Sequence, residues 1–126
     1  MTKTPLEIWT EASNAATEAA KKCTPTPMGV YQADLAGNRL SETTIINEGV
    51  CGFAWVRIKP ARGPFIKFLK ESKFGDLSMY GGWMISMSKF VGMSQSMERK
   101  EAAARAFVEV LKQNGIEKVW MESRLD

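Results

Sequence analysis

GVCGFAWVRI, residues Gly49–Ile58, decides the fold. Val50 to Ile58 is mostly apolar and β-prone, the pattern of a central strand covered on both faces. Three further segments follow it. YGGWMISMS (Tyr80–Ser88) alternates Trp83, Ile85 and Met87 against Met84, Ser86 and Ser88. Its pair Gly81-Gly82 predicts a bulge, a tight turn or a close backbone approach. QSMERKEAAARAFVEVLKQNGI (Gln95–Ile116) predicts a helix from Met97 to about Asn114, with Ala104, Phe107, Val108 and Leu111 as its buried stripe. Ser94 or Ser96 caps it, and Gly115 suits the left-handed residue that ends it. KVWMESRLD closes the chain with a short strand over Val119–Glu122.

Upstream, Thr4, Pro5 and Glu7 form a capping box with proline at the first helical position, which starts a helix running to about Lys22. Its face is Trp9, Ala12, Ala16, Ala19 and Ala20. So small a stripe admits another backbone closely, either this chain's sheet or a second subunit. Thr24-Pro25-Thr26-Pro27 stops that helix. Met28 to Leu35 reads as a strand, with Tyr31, Ala33 and Leu35 alternating against Gln32 and Asp34. Gly37-Asn38 turns it, Arg39 to Ile46 returns as a weaker strand, and Asn47-Glu48-Gly49 turns the chain again. Between the apolar segments, Pro64 opens a short helix with Phe65, Phe68 and Leu69 on one side, and Gly75 ends the segment. The order α, β, β, β, α, β, α, β, rich in hairpin turns, predicts an α+β architecture. Its mainly antiparallel sheet of about five strands packs with three helices.

The chain has 126 residues, the length of one domain. Apolar residues at 44% and charged residues at 25% exclude a disordered or membrane-spanning chain. The N-terminus lacks the pattern of a signal peptide, which predicts a cytoplasmic protein. In that compartment Cys23 and Cys51 are expected free and packed, and without histidine they make a poor zinc cage. The net charge of +3 is too small and too dispersed for a duplex-binding face.

The absence of histidine removes the usual proton shuttle. Ser94-Gln95-Ser96 reads better as a cap than as a nucleophile, and no paired carboxylates are recognisable. Neither catalytic residues nor a cofactor is predicted. The remaining chemistry is arginines at the polar ends of apolar elements (Arg57, Arg99, Arg105 and Arg124) and many aromatic rings. That combination suits an anionic ligand bearing rings. The start of the main helix offers free amides, and Arg99 in its first turn has the wrong sign for the helix dipole unless an anion or a surface carboxylate accompanies it. Arg105 stands between Glu101 and Glu109 at four-residue spacing, as in a solvent-facing charge ladder. Arg99 and Arg105 are six residues apart and face different directions, so both serve ligands only through two pockets or an oligomer. Phe74, Tyr80 and Trp83 flank polar or glycine-rich segments and are the rings placed to stack a base.

The segments GFAWVRIKPARGPFIKFLK, YGGWMIS, QSMERKEAAARAFVEVLKQNGI and ESRLD, extended upstream by CTPTPM at Cys23–Met28, resemble a family of small bacteriophage proteins: the first described type of Thoeris anti-defence protein. The resemblance covers about Gly49 to Asp126. It implies a sponge that sequesters cyclic ADP-ribose isomers made by bacterial TIR enzymes and releases them intact. Some members also hold cyclic oligonucleotides in separate pockets. It implies a homo-oligomer built from dimers, with ligand pockets at subunit interfaces and no stable nucleic-acid or membrane partner. Arg99, Arg105 and Arg124 match the motif's basic positions. On this reading Arg99 and Arg124 pair with phosphates and Phe74 or Trp83 stacks the adenine, while Gln95 and Ser96 bond the ribose. The competing readings are a structural or interaction protein of a phage particle or host-takeover complex, and a small nucleic-acid-binding protein.

Overall fold

A computed structural model describes residues 3–30, 32–39, 41 and 43–126. Helix α1 spans Pro5–Lys22 and opens on the predicted capping box: Glu7 N–H donates to the Thr4 hydroxyl while the Glu7 carboxylate accepts from Thr4 N–H. Strands β1 (Met28–Val30) and β2 (Thr44–Ile46) pair antiparallel as a separate two-stranded ribbon. Both are shorter than the sequence predicts. The Asp34 carboxylate accepts from the amides of Ala36 and Asn38, so local side-chain bonds replace ladder bonds around the Gly37-Asn38 turn. Among the described residues an isolated Ala33–Arg39 bridge continues the pairing there. Tyr31, predicted on this strand, lies outside the described residues.

The main sheet is antiparallel, in the order β4 (Asp76–Leu77), β5 (Trp83–Ser86), β3 (Gly52–Ile58), β6 (Val119–Leu125). Helix α2 spans Pro64–Ser72, a 3-10 turn spans Ser88–Phe90, and helix α3 spans Met97–Gln113. The class is α+β, with six strands in two sheets among the described residues rather than about five in one. Ser96 is the cap of α3, accepting from Arg99 N–H, and Gly115 has φ +86° just beyond the helix. Among the described residues, no helix is long and apolar enough to cross a membrane.

Strand β3 has two chemically different faces. Ala54, Val56 and Ile58 are buried with Trp83, Ile85 and Val119 of its neighbours, beneath α3, which packs on β3 and β6. Phe53 and Trp55 project to the opposite face and are only half-buried. The expectation of a strand covered on both faces is therefore corrected: the helices cover one face only. Gly82 joins β4 to β5 at φ +80°, where an added Cβ would lie 2.7 Å from the Ile58 carbonyl oxygen. The glycine pair is thus both a tight turn and a close backbone approach.

The alanine stripe of α1 finds neither of its two predicted partners. It packs on α3, where Ala12 and Ala16 meet a helix that is itself alanine-rich at Ala103 and Ala104, all four fully buried. Small residues on both sides let the two helices approach closely, and Trp9, Phe107, Phe90 and Phe74 fill the wider end. Ala16→Leu adds volume where none is free, so we expect a loss of about 1–3 kcal/mol in urea unfolding with the slope unchanged. A loss below a few tenths of a kcal/mol would show that the helices are not packed at this distance.

Candidate functional site

The uncovered face of the main sheet carries a hollow. Phe53, Trp55 and Arg57 of β3, Met84 and Ser86 of β5, Arg124 of β6 and the turn residues Leu77 to Tyr80 line this hollow of about 590 Å³. The register explains the convergence: Arg57 lies opposite Met84 and Trp120, Trp55 opposite Ser86 and Glu122, and Phe53 opposite Arg124. Alternate side chains of three strands therefore point the same way. Tyr80 and Met79 stand exposed on the rim, held by a turn in which Ser78 N–H donates to Gly82 O and Gly81 N–H donates to Ser78 O.

A polar network fixes the floor. Glu122 accepts from Trp55 Nε1 at 2.7 Å, from Arg57 Nε at 2.9 Å and from Trp120 Nε1 at 2.9 Å, and Arg57 Nη2 lies 2.8 Å from the same carboxylate. Arg57 also donates to the Gly81 carbonyl. Hydrogen bonds from Arg57, then from Trp120 and Trp55, hold the Glu122 carboxyl down at about 2 against partial burial. Arg124 differs. It is exposed, its guanidinium carbon is 5.6 Å from the Phe53 ring centroid, and no carboxylate pairs with it among the described residues. Two tethered indoles, an exposed phenol and an available guanidinium can stack a planar ring and grip an anion.

A second hollow, about 460 Å³, lies between α1, the Glu48 turn, the 3-10 turn and the start of α3. Here Arg99 forms a forked pair with Glu48, at 3.0 Å from Nε to Oε1 and 3.1 Å from Nη2 to Oε2, and donates to Ala20 O at 2.7 Å. Ser94 Oγ donates to the same carboxylate at 2.7 Å. Glu48 is held below its ordinary range by the hydrogen bonds from Arg99 and Ser94, and Arg99 is raised in turn by Glu48. The surface-carboxylate reading of Arg99 is the one realised, and Glu48 supplies the negative charge that the helix start favours.

The predicted site residues thus separate. Arg99 and Arg124 line different hollows, so they do not converge on one pocket within the chain. Arg105 is exposed on the outer side of α3; Glu101 accepts instead from Ser123 Oγ and Glu109 from Gln113 Nε2, so the predicted charge ladder gives way to other bonds. Ser96 is buried as a cap, and Gln95 is exposed while its carbonyl accepts from Gly52 N–H. Phe74 and Trp83 belong to the core rather than to an open stacking platform. Phe74 stacks on Trp9 with centroids 4.2 Å apart, and Trp83 is buried with Nε1 donating to Phe74 O. Arg57 is among the arginines the sequence singles out, whereas Glu48, Phe53, Trp55 and Glu122, which carry the rest of the local chemistry, are not. The alternation F-x-W-x-R on one strand and W-x-E-x-R on another is the signal that would have found most of them. Both cysteines are free, and Cys51 is exposed rather than packed.

Comparison with known proteins returns no match among family models, curated proteins or solved structures.

Because Glu122 is ionised in the folded chain down to about pH 2 but only to its ordinary value near 4.5 when unfolded, the network's contribution is complete above pH 4.5 and fades as pH falls toward 2. Glu122→Gln should cost about 1.5–3 kcal/mol at neutral pH and flatten the acid limb of the stability curve in that window. An acid limb as steep as that of the parent chain would mean the carboxylate is not bonded as described.

Proposed function

We propose that the protein is a nucleotide sponge, cytoplasmic in an infected bacterium, that binds cyclic ADP-ribose-type immune signals and holds them without cleavage. The observation that supports this reading is the open sheet face, where exposed aromatic surface and an arginine lacking a carboxylate partner border one hollow. Tyr80 and Trp55 offer π-faces to an adenine, each such contact contributing about 1–3 kcal/mol. Arg124 supplies a forked pair for a phosphate. Arg57, already committed to Glu122 and Gly81, fixes the floor instead of reaching the ligand. The absence of histidine and the resemblance of the segments Gly52–Lys70 and Gln95–Ile116 to the anti-defence family point the same way.

One observation favours a second reading. Leu77, Met79 and Tyr80 form an exposed, largely apolar rim, which suits a protein partner as well as a small ligand. On that reading the chain is an interaction protein without a small-molecule ligand.

Calorimetry with cyclic ADP-ribose isomers separates the two. Binding is expected, and Tyr80→Ala should weaken it about 5- to 150-fold. Heating the complex should release the nucleotide intact; a cleaved product would make the protein an enzyme. Absence of binding to every isomer rejects the sponge reading. Loss of binding in Arg99→Ala but not in Tyr80→Ala would move the ligand to the second hollow.

A further inference from the structure

We infer that β6 pairs with β6 of a second copy across a two-fold axis at Ser123, joining two sheets into one. The strand is the outer edge of the main sheet and runs seven residues, Val119–Leu125. It has no proline and no lysine within it, its two charges, Glu122 and Arg124, are of opposite sign, and Trp120 and Leu125 are exposed. The opposite edge, β4, is only two residues long.

The free backbone groups can be assigned. Lys59 N–H donates to Lys118 O, and Asp126 N–H donates to Cys51 O. Even-numbered residues of this strand therefore turn their backbone groups toward β3, and by alternation Val119, Met121, Ser123 and Leu125 turn theirs outward. An antiparallel mate must pair odd residues with odd ones. Among such registers, the one centred on Ser123 makes Met121-Glu122-Ser123-Arg124-Leu125 complementary to itself. Met121 faces Leu125 of the second copy on the helix side of the sheet. Glu122 faces Arg124 of the second copy on the open side, twice by symmetry. Centring the axis on Glu122 would place the two Glu122 carboxylates opposite each other, and like charges directly opposite destabilise a pair. The same pairing accounts for Arg124 lacking a carboxylate in its own chain. A guanidinium has five donors, so a single bond to Glu122 Oε2, which within its own chain accepts from Trp120 Nε1, leaves others for an anion in the hollow.

This inference does not depend on any ligand, and its test contains no nucleotide. In a Cys23→Ser, Cys51→Ser background, Ser123→Cys should oxidise to a disulfide-linked dimer, because partners in a hydrogen-bonded antiparallel pair have Cα atoms about 5.5 Å apart, inside the disulfide range. Met121→Cys in the same background should stay unlinked, since its mate would lie four residues along the strand. Arg124→Glu, an exposed change that should leave the circular dichroism unaltered, is expected to weaken dimerisation at least tenfold in sedimentation equilibrium. A monomeric parent chain, an unlinked Ser123→Cys or a linked Met121→Cys would each overturn the proposal.

Discussion

Arg57 is only 6% exposed, and a guanidinium deprived of water must be repaid by bonds to acceptors. Its position follows from strand alternation: if Ala54, Val56 and Ile58 face the helices, Arg57 must face away from them, on the side the helices leave bare. There Glu122 and the Gly81 carbonyl receive it. Those two bonds tie together three strands, since Glu122 comes from β6 and Gly81 from the turn that leads into β5. The exposed face of the sheet is therefore fixed by an ion pair and two indole hydrogen bonds rather than by a second layer of helices. That is how it remains open without losing its shape.

On the covered side the problem is reversed. A chain of this length has little volume with which to build a core, and it stacks two helices over the sheet. The alanines of α1 and α3 reduce the thickness of that stack. Close approach of the two backbones substitutes for large side chains, and the aromatic residues gather at one end. Phe74 and Trp83 are recruited there. Gly75, the residue after Phe74, sits so tightly that a Cβ would come within 2.3 Å of Met84 O. Rings that flank glycine can be there because the backbone must pass close to something, and in this chain that something is the core.

This explains which parts of the structure were legible in the sequence. The capping box of α1, the cap and stripe of α3, the alternation of Trp83, Ile85 and Met87, and the left-handed Gly115 are local patterns whose physics acts within a few residues. They were read with nearly correct bounds. The partner of the alanine stripe was not legible, because a small face says that something comes close and not what it is. Nor was the second face of β3. An apolar run such as GFAWVRI looks the same whether both faces are covered or one is held by aromatics and an ion pair. The decisive partner, Glu122, lies 65 residues from Arg57, and nothing local connects them. The sign conflict of Arg99 with the helix dipole is visible in the sequence, but its resolution comes from Glu48, in a turn 51 residues upstream.

The two arginines first expected to act together illustrate what distinguishes a structural guanidinium from an available one. Arg99 is satisfied on three sides by a carboxylate and a carbonyl that belong to elements it holds in place, so recruiting it for an anionic ligand would require releasing α1 and the Glu48 turn. Arg124 rests on an aromatic face at the end of an edge strand, anchored by a contact that costs little to rearrange. Electrostatic attraction in water is weak unless the charge is partly desolvated and not already neutralised. Of the two, Arg124 is the one not already neutralised, and a ligand in the hollow or a second strand beside β6 would supply the desolvation. The place to look for an anion, whether a phosphate or the Glu122 carboxylate of a second copy, is accordingly the open face beside β6.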